Sequence, residues 1–386
     1  MREVHDLAAF DAMAAEATSL TDVVVAGLDL RARAEVLERL DPRNAVFLGC
    51  ELAPTSLASL VARGALVFPR LPNLPYQAWR TTLYTPDELF EGFDPKDPCT
   101  YCVTPDARIY EHFTRTGGAA VPPLLEAFAR RLHDHGISEA LESLLARHPR
   151  VVAFMGGHAM GRDDPAYASV ASMARSLAAA GFLVATGGGP GAMEAANLGA
   201  RFAAHPEAEL EVAIRHLASA PLYSDRFWLA RAAELARSLT GRAPIDTLGV
   251  PTFFYGHEPP NVFATHHAKY FANCTREEGL VSLATHGIVF APGAGGTVQE
   301  IFQDACQNHY GTVRGEVAPM ALFGVRYWRE ELPVMPALEA LARRGGWSDR
   351  ILLSDDPAEI LAFLSRVGPR KLDRKSWSFC GAYCAE

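Results

Sequence analysis

The sequence predicts an α/β fold built on a doubly wound parallel sheet with helices on both faces, preceded by an accessory α/β region. Three observations carry this. From Val151 onward, short apolar runs alternate with amphipathic stretches, the pattern of strands buried on both faces and joined by helices. Three of the apolar runs end in glycine, at Gly156, Gly187 and Gly293, where ligands meet such sheets. Hydrophobic residues make up 49% of the 386 residues, enough for a sizeable core and against global disorder.

The elements follow in order. In the first 149 residues, "AVFLGC" and "SLASLVARGALVFP" read as strand, helix, strand. An irregular Pro-rich segment runs from Pro69 to about Pro105, and two helices are expected near Pro122–His135 and Ser138–His148. "VVAFMGG" is then a strand ending in Gly. Tyr167, Val170, Ala171, Ala174, Leu177 and Ala178 share one helical face. "GFLVATGGGPG" is the next strand and "AMEAANLGARFA" the helix after it. Amphipathic stretches at Glu207–Ser219 and Arg226–Thr240 follow. "GVPTFFYG" and "GIVFAPG" read as strands around a helical segment, "FATHHAKYFANCTREEGLVSLATH"; "PMALFG" and "RILLS" close the series. The expected boundaries are 1–149 for the accessory region, 150–368 for the α/β domain and 369–386 for a tail.

Charge and composition narrow the partners. The net charge of −9 disfavours nucleic-acid binding through a basic surface, yet helix N-termini reverse the field locally for a small anion. No apolar run reaches the roughly 18 residues of a membrane span. The acids in "MREVHDLAAFDAMAAEA" stand where a signal peptide has its apolar core. A soluble cytoplasmic protein without a membrane partner is expected. Of seven cysteines, Cys99 and Cys102 form a CxxC and Cys380 and Cys384 a CxxxC. The pairs are far apart in sequence and lack a redox-fold context, so free thiols are expected rather than a metal site.

The Gly loops carry the chemistry. Between a strand and a helix, "PGAGGT" offers bare backbone N–H groups to an anion: Gly293, Gly295 and Gly296 permit close approach and the Thr297 hydroxyl adds a donor. A tight turn needing glycine only for its dihedrals is the alternative for one loop alone; three such strand ends favour a shared ligand. "TGGGPGA" also fits a dinucleotide fingerprint through Gly187, Gly189 and Ala192, but Glu207, Glu209 and Glu211 fall on an expected helix instead of at a strand end. Glu300 has two readings. Thr297-x-x-Glu300 is a capping box; equally, a carboxylate beside a phosphate loop suits charge stabilisation or water activation at a sugar. Val298, Ile301, Phe302, Ala305 and Cys306 are the expected core stripe of that helix, with Thr297, Glu300 and Asp304 on another flank. Candidate cations are Lys269, Arg276 and the pair His266 and His267. Glu194 either reaches the ligand or caps its helix.

"TGGGPGAMEAANLGA" together with "PGAGGTVQEIF" resembles the paired signature of the LOG (Lonely Guy) family, GGG-x-x-G-x-M and PGG-x-GT-x-x-E. The resemblance covers roughly 150–325 and is closer to the long bacterial branch, the pyrimidine/purine nucleotide 5′-monophosphate nucleosidases. It implies a Rossmann-like phosphoribohydrolase, a hydrolase that splits a nucleoside 5′-monophosphate into free base and ribose 5-phosphate without cofactor or metal, as a homo-oligomer. By this resemblance Glu300 and Arg276 are catalytic. Gly156, Gly157, Gly187, Gly188, Gly189, Gly191, Met193, Glu194, Gly293, Ala294, Gly295, Gly296 and Thr297 are the expected substrate-binding set. Ala294 departs from the family's second Gly. The lysine decarboxylase label once given to such proteins needs a Schiff-base lysine, and only Lys269 lies in the core region. A non-catalytic nucleotide or phosphorylated-cofactor carrier on the same scaffold is the alternative class, and a dinucleotide-dependent oxidoreductase a third.

Overall fold

A computed structural model describes residues 2–239 and 245–372. The chain divides into two compact units, Met1–Leu83 with Glu111–Glu142, and Tyr84–Tyr110 with Ser143–Glu386.

The first unit holds strands β1 (Arg2–Val4), β2 (Val23–Ala26), β3 (Val46–Leu48) and β4 (Leu66–Phe68), parallel and in that spatial order. Phe10, Leu20, Val25, Leu37, Phe47 and Leu60 fill its core. The expected strand–helix–strand is β3, the Pro54–Ala62 helix and β4. β1 and β2 are three and four residues long, too short for their pattern to stand out. The two helices expected between Pro122 and His148 are one, Leu124–Arg147. Gly136, between the two expected helices, lies inside it, and a Cβ there would strike the Arg80 carbonyl.

The second unit carries β5 (Val151–Met155), β6 (Leu183–Thr186), β7 (Thr247–Gly249), β8 (His266–His267), β9 (Ile288–Phe290), β10 (Glu316–Val317), β11 (Met320–Phe323), β12 (Ile351–Ser354) and β13 (Arg370–Lys371). Seven form one parallel sheet in the order β12-β11-β9-β5-β6-β7-β8, flanked by helices in a Rossmann-like arrangement. β10 and β13 pair antiparallel beside it. β5, β6, β9 and β11 are buried along their whole length, which is why they read as unbroken apolar runs. From β5 the chain steps outward through β6, β7 and β8, then returns to β9 on the other side of β5 and moves outward again. The strand order therefore reverses between β5 and β9, the switch point where such sheets open a crevice at the strands' carboxyl ends.

Three sequence expectations change here. "GVPTFFYG" is a strand only to Gly249; Pro251 has no N–H for a ladder, and Phe253–Tyr255 is a 3-10 turn capped by Thr252. Within "FATHHAKYFANCTREEGLVSLATH", His266–His267 is the edge strand β8 and the helix begins only at Asn273. Residues 84–110, read by sequence with the accessory region, belong to the second unit. Tyr84 pairs with His267 through both backbone hydrogen bonds, and Asp106 forms a buried ion pair with Lys269.

Candidate active site

The carboxyl ends of β5 and β9 are tied together. Ala291 N–H donates to the Met155 carbonyl at 2.8 Å and Gly157 N–H to the Pro292 carbonyl at 2.9 Å. Above them opens a cleft of ≈ 550 Å³ whose wall includes Gly156, Gly157, Met193, Arg276, Gly293, Ala294, Gly296, Thr297 and Glu300.

The helix after β9 begins at Gly295, with Ala294 as its cap at φ −92°. Val298 N–H donates to the Ala294 carbonyl, so the N–H groups of Gly295, Gly296 and Thr297 precede the first intrahelical donor and have no acceptor within the helix. Ala294 and both glycines are exposed, and a Cβ on Gly295 or Gly296 would meet nothing within 4 Å. Neither they nor Gly293 has positive φ. The dihedral explanation of this loop therefore fails, and Ala294 stands without strain where the LOG pattern has glycine. Gly293 is required for another reason: a Cβ there would strike Thr297 Oγ1 and come within 2.8 Å of Gly157 N. Tyr327 Oη donates to the Gly293 carbonyl at 2.7 Å and fixes the loop from the far side.

The early helix start also removes the capping box. Thr297 is the third helical residue and Glu300 the sixth, so Glu300 cannot reach an N-terminal N–H, and no side chain caps this helix. Its carboxylate faces Arg276, with Oε1 3.7 Å from Nη1, and each side chain is 12% exposed. Burial pushes the Glu300 carboxyl up to about 7, against the pull of Arg276 and with a further push from Glu277. Arg276 lies in the first turn of the Asn273–Leu283 helix and donates through Nε to the Val250 carbonyl at 2.9 Å. Glu277 accepts from Asn273 at 2.7 Å and from Gln299 at 2.9 Å.

Other expected residues play different parts. Gly187, Gly188, Gly189 and Gly191 are buried and absent from the cleft wall. A Cβ on Gly187 would run into Arg276 Nη2, and one on Gly189 would lie 2.9 Å from Met193 Cε. Gly188 and Gly191 have positive φ, and a Cβ on Gly191 would strike the Gly157 carbonyl. The second Gly loop thus seats Arg276 and Met193 by close packing. The reading of Glu194 is corrected. It is fully buried, bound by Arg162 through Nε at 2.8 Å and Nη2 at 2.6 Å, and accepts from Tyr167 Oη at 3.0 Å.

Lys269 is buried against Asp106 and over the Phe253 ring at 4.5 Å, outside the cleft wall. His267 is fully buried, and burial pushes its imidazole down to about 3, so it is neutral. The inner stripe of the Gly295–Tyr310 helix is Thr297, Ile301, Asp304, Ala305 and Asn308, whereas Cys306 is exposed. Asp304 therefore points inward, away from the flank expected to hold Glu300; burial raises its pKa well above the ordinary value. Cys99 and Cys102 are exposed; Cys380 and Cys384 lie outside the described residues. Among the described residues the one grouping able to hold a metal ion is exposed Glu3, His135 and Glu139 in the first unit. No described helix is long and apolar enough to cross a membrane.

Sequence reading missed His158, Tyr255, Glu258, Glu277, Gln299 and Tyr327, all in the cleft wall. Except for His158, Glu277 and Gln299, which neighbour motif residues, they carry no spacing signal.

No protein-family profile matches the chain, and no curated protein matches it. Similar solved structures include the molybdenum cofactor binding protein from the phototrophic bacterium Rippkaea orientalis, with 14% identity, a TM-score of 0.33 and coverage of 56% of this chain and 96% of that one. The Moco carrier protein from Chlamydomonas reinhardtii matches with 14% identity, a TM-score of 0.32 and coverage of 56% and 99%.

Proposed function

We propose that the cleft binds a nucleoside 5′-monophosphate and that the protein hydrolyses its N-glycosidic bond, giving free base and ribose 5-phosphate. The observation that carries this reading is Glu300: a carboxyl raised to about 7 beside Arg276, one helical turn from an unobstructed helix N-terminus. The N–H groups of Gly295, Gly296 and Thr297 receive the 5′-phosphate. Arg276 neutralises charge near the scissile bond. Ionised Glu300 accepts a proton from the attacking water and balances positive charge that develops at C1′. A carboxyl whose pKa is about 7 is half ionised at neutral pH, which suits a group that must both take and release a proton.

The test is a chromatographic screen of the common nucleoside monophosphates, and the matching unphosphorylated nucleosides, for base release. Release from monophosphates alone, inhibited by inorganic phosphate or ribose 5-phosphate, is the expected result. Equal turnover of nucleoside and monophosphate overturns the phosphate assignment. Tight nucleotide binding without base release favours the carrier alternative, which uses the same cleft without the chemistry.

A further inference from the structure

Resting on the nucleosidase reading, we infer that His158 is the general acid that protonates the departing base, with Glu258 as its positioning residue. The two side chains come from different loops at the carboxyl end of the sheet, His158 just after β5 and Glu258 between β7 and β8, and both line the same cleft as Arg276 and Glu300. His158 Nδ1 lies 3.6 Å from Glu258 Oε1, and the ring meets Tyr223 edge-on at 5.6 Å between centroids. His158 is 47% exposed at its side chain, whereas Glu258 is only 16% exposed. The carboxylate thus sits in the wall, where Oε1 is also 3.8 Å from His257 Nε2, and the imidazole of His158 projects from it.

This is the arrangement of an oriented acid: a carboxylate on Nδ1 selects the tautomer and leaves Nε2 to exchange a proton with a reactant. The separation exceeds a hydrogen bond, as pairs in unliganded sites often do before substrate tightens them. The wall also gives the pair a position. A Cβ on Gly189 would lie 2.9 Å from Met193 Cε and 3.8 Å from Glu258 Oε2, and one on Gly187 would lie 2.6 Å from Met193 Sδ and strike Arg276 Nη2. Met193 therefore neighbours the same Gly loop as both Arg276 and Glu258. The protons balance: the C1′–N bond breaks with its electron pair going to the base nitrogen, which takes the proton from His158. Water adds to C1′ and loses its proton to Glu300. Exchange with solvent then returns one proton to His158 and removes one from Glu300.

The proposal separates from a packing or binding role through the leaving group. Wild type and His158→Gln are assayed on a nucleoside monophosphate and on the 4-nitrophenyl β-glycoside of ribose 5-phosphate, whose phenolate leaves without a proton. His158 is exposed on a loop, so the variant folds, and a melting curve verifies this. His158→Gln is expected to lose about a hundredfold or more in kcat on the nucleotide but only a few-fold on the nitrophenyl substrate. Glu258→Gln is expected to lose less than His158→Gln while showing the same preference for the activated leaving group. An equal loss on both substrates, or no loss on either, overturns the acid assignment and leaves the nucleosidase reading standing. Wild-type protein that releases neither base nor nitrophenol overturns both.

Discussion

Arg276 and Glu300 face one another at 3.7 Å, Nη1 to Oε1, the first from the opening turn of one helix and the second from the second turn of another. The separation leaves the carboxylate only partly neutralised, and burial dominates its proton affinity. Turnover that needs ionised Glu300 is expected to rise with pH along a limb centred near 7. A kcat–pH profile checks this; a limb near the ordinary 4.5 contradicts it.

The same shift has a sign in stability. Between 4.5 and about 7 the folded protein holds more protons on Glu300 than the unfolded chain, so its contribution falls as pH rises through that window. Glu300→Gln removes the term. The variant is expected to be more stable than wild type at pH 8, by up to about 2–3 kcal/mol, with the gap closing toward pH 4. Melting curves at the two pH values test this. A helix cap would behave oppositely and lose nothing or lose stability on substitution.

Arg276→Ala removes the one effect that lowers the Glu300 pKa. Its acidic limb is expected to move above that of wild type and its kcat to fall about a hundredfold or more. Because the guanidinium is mostly buried and donates to the Val250 carbonyl, the variant also loses about 1–2 kcal/mol of stability. A pH–rate profile beside a melting curve measures both effects.

The loop glycines divide by what surrounds them. Gly296→Ala meets open space and is expected to keep wild-type stability within about 1 kcal/mol while weakening ribose 5-phosphate binding. Gly293→Ala forces the loop apart at Thr297 and Gly157 and is expected to destabilise the fold outright. Calorimetric titration with ribose 5-phosphate and melting curves for both variants separate the two roles.

Glu194→Gln is expected to act on folding alone. It leaves Arg162, 1% exposed at its side chain, without a counter-charge, a loss of about 3–5 kcal/mol. Denaturant unfolding measures it, and an unchanged midpoint would contradict the buried-pair account.

Much of the second unit was legible because its central strands are buried on both faces and end in glycine. β5, β6, β9, β11 and β12 each match an apolar run. The edge strand β8, two residues long, carries no such signal, and its histidines read as part of a helix. The motifs pointed to the Gly293–Thr297 loop and Glu300, but the capping-box reading sets the helix start three residues late, because a Thr-x-x-Glu pattern imitates a cap. Glu194 was misread since sequence does not show that Arg162, more than thirty residues earlier, buries itself against it. His158 and Glu258 meet only through the return of the chain from β7.

Rate and binding measured together on Glu300→Gln test the central claim most directly. Ribose 5-phosphate release is followed by wild type and variant on the preferred nucleoside monophosphate, beside a binding isotherm for the same nucleotide. A neutral amide keeps the shape of the side chain but cannot accept a proton or balance charge at C1′. The variant is expected to bind within a few-fold of wild type and to lose about 10²–10⁴-fold in rate. Near-wild-type turnover by Glu300→Gln would contradict the account.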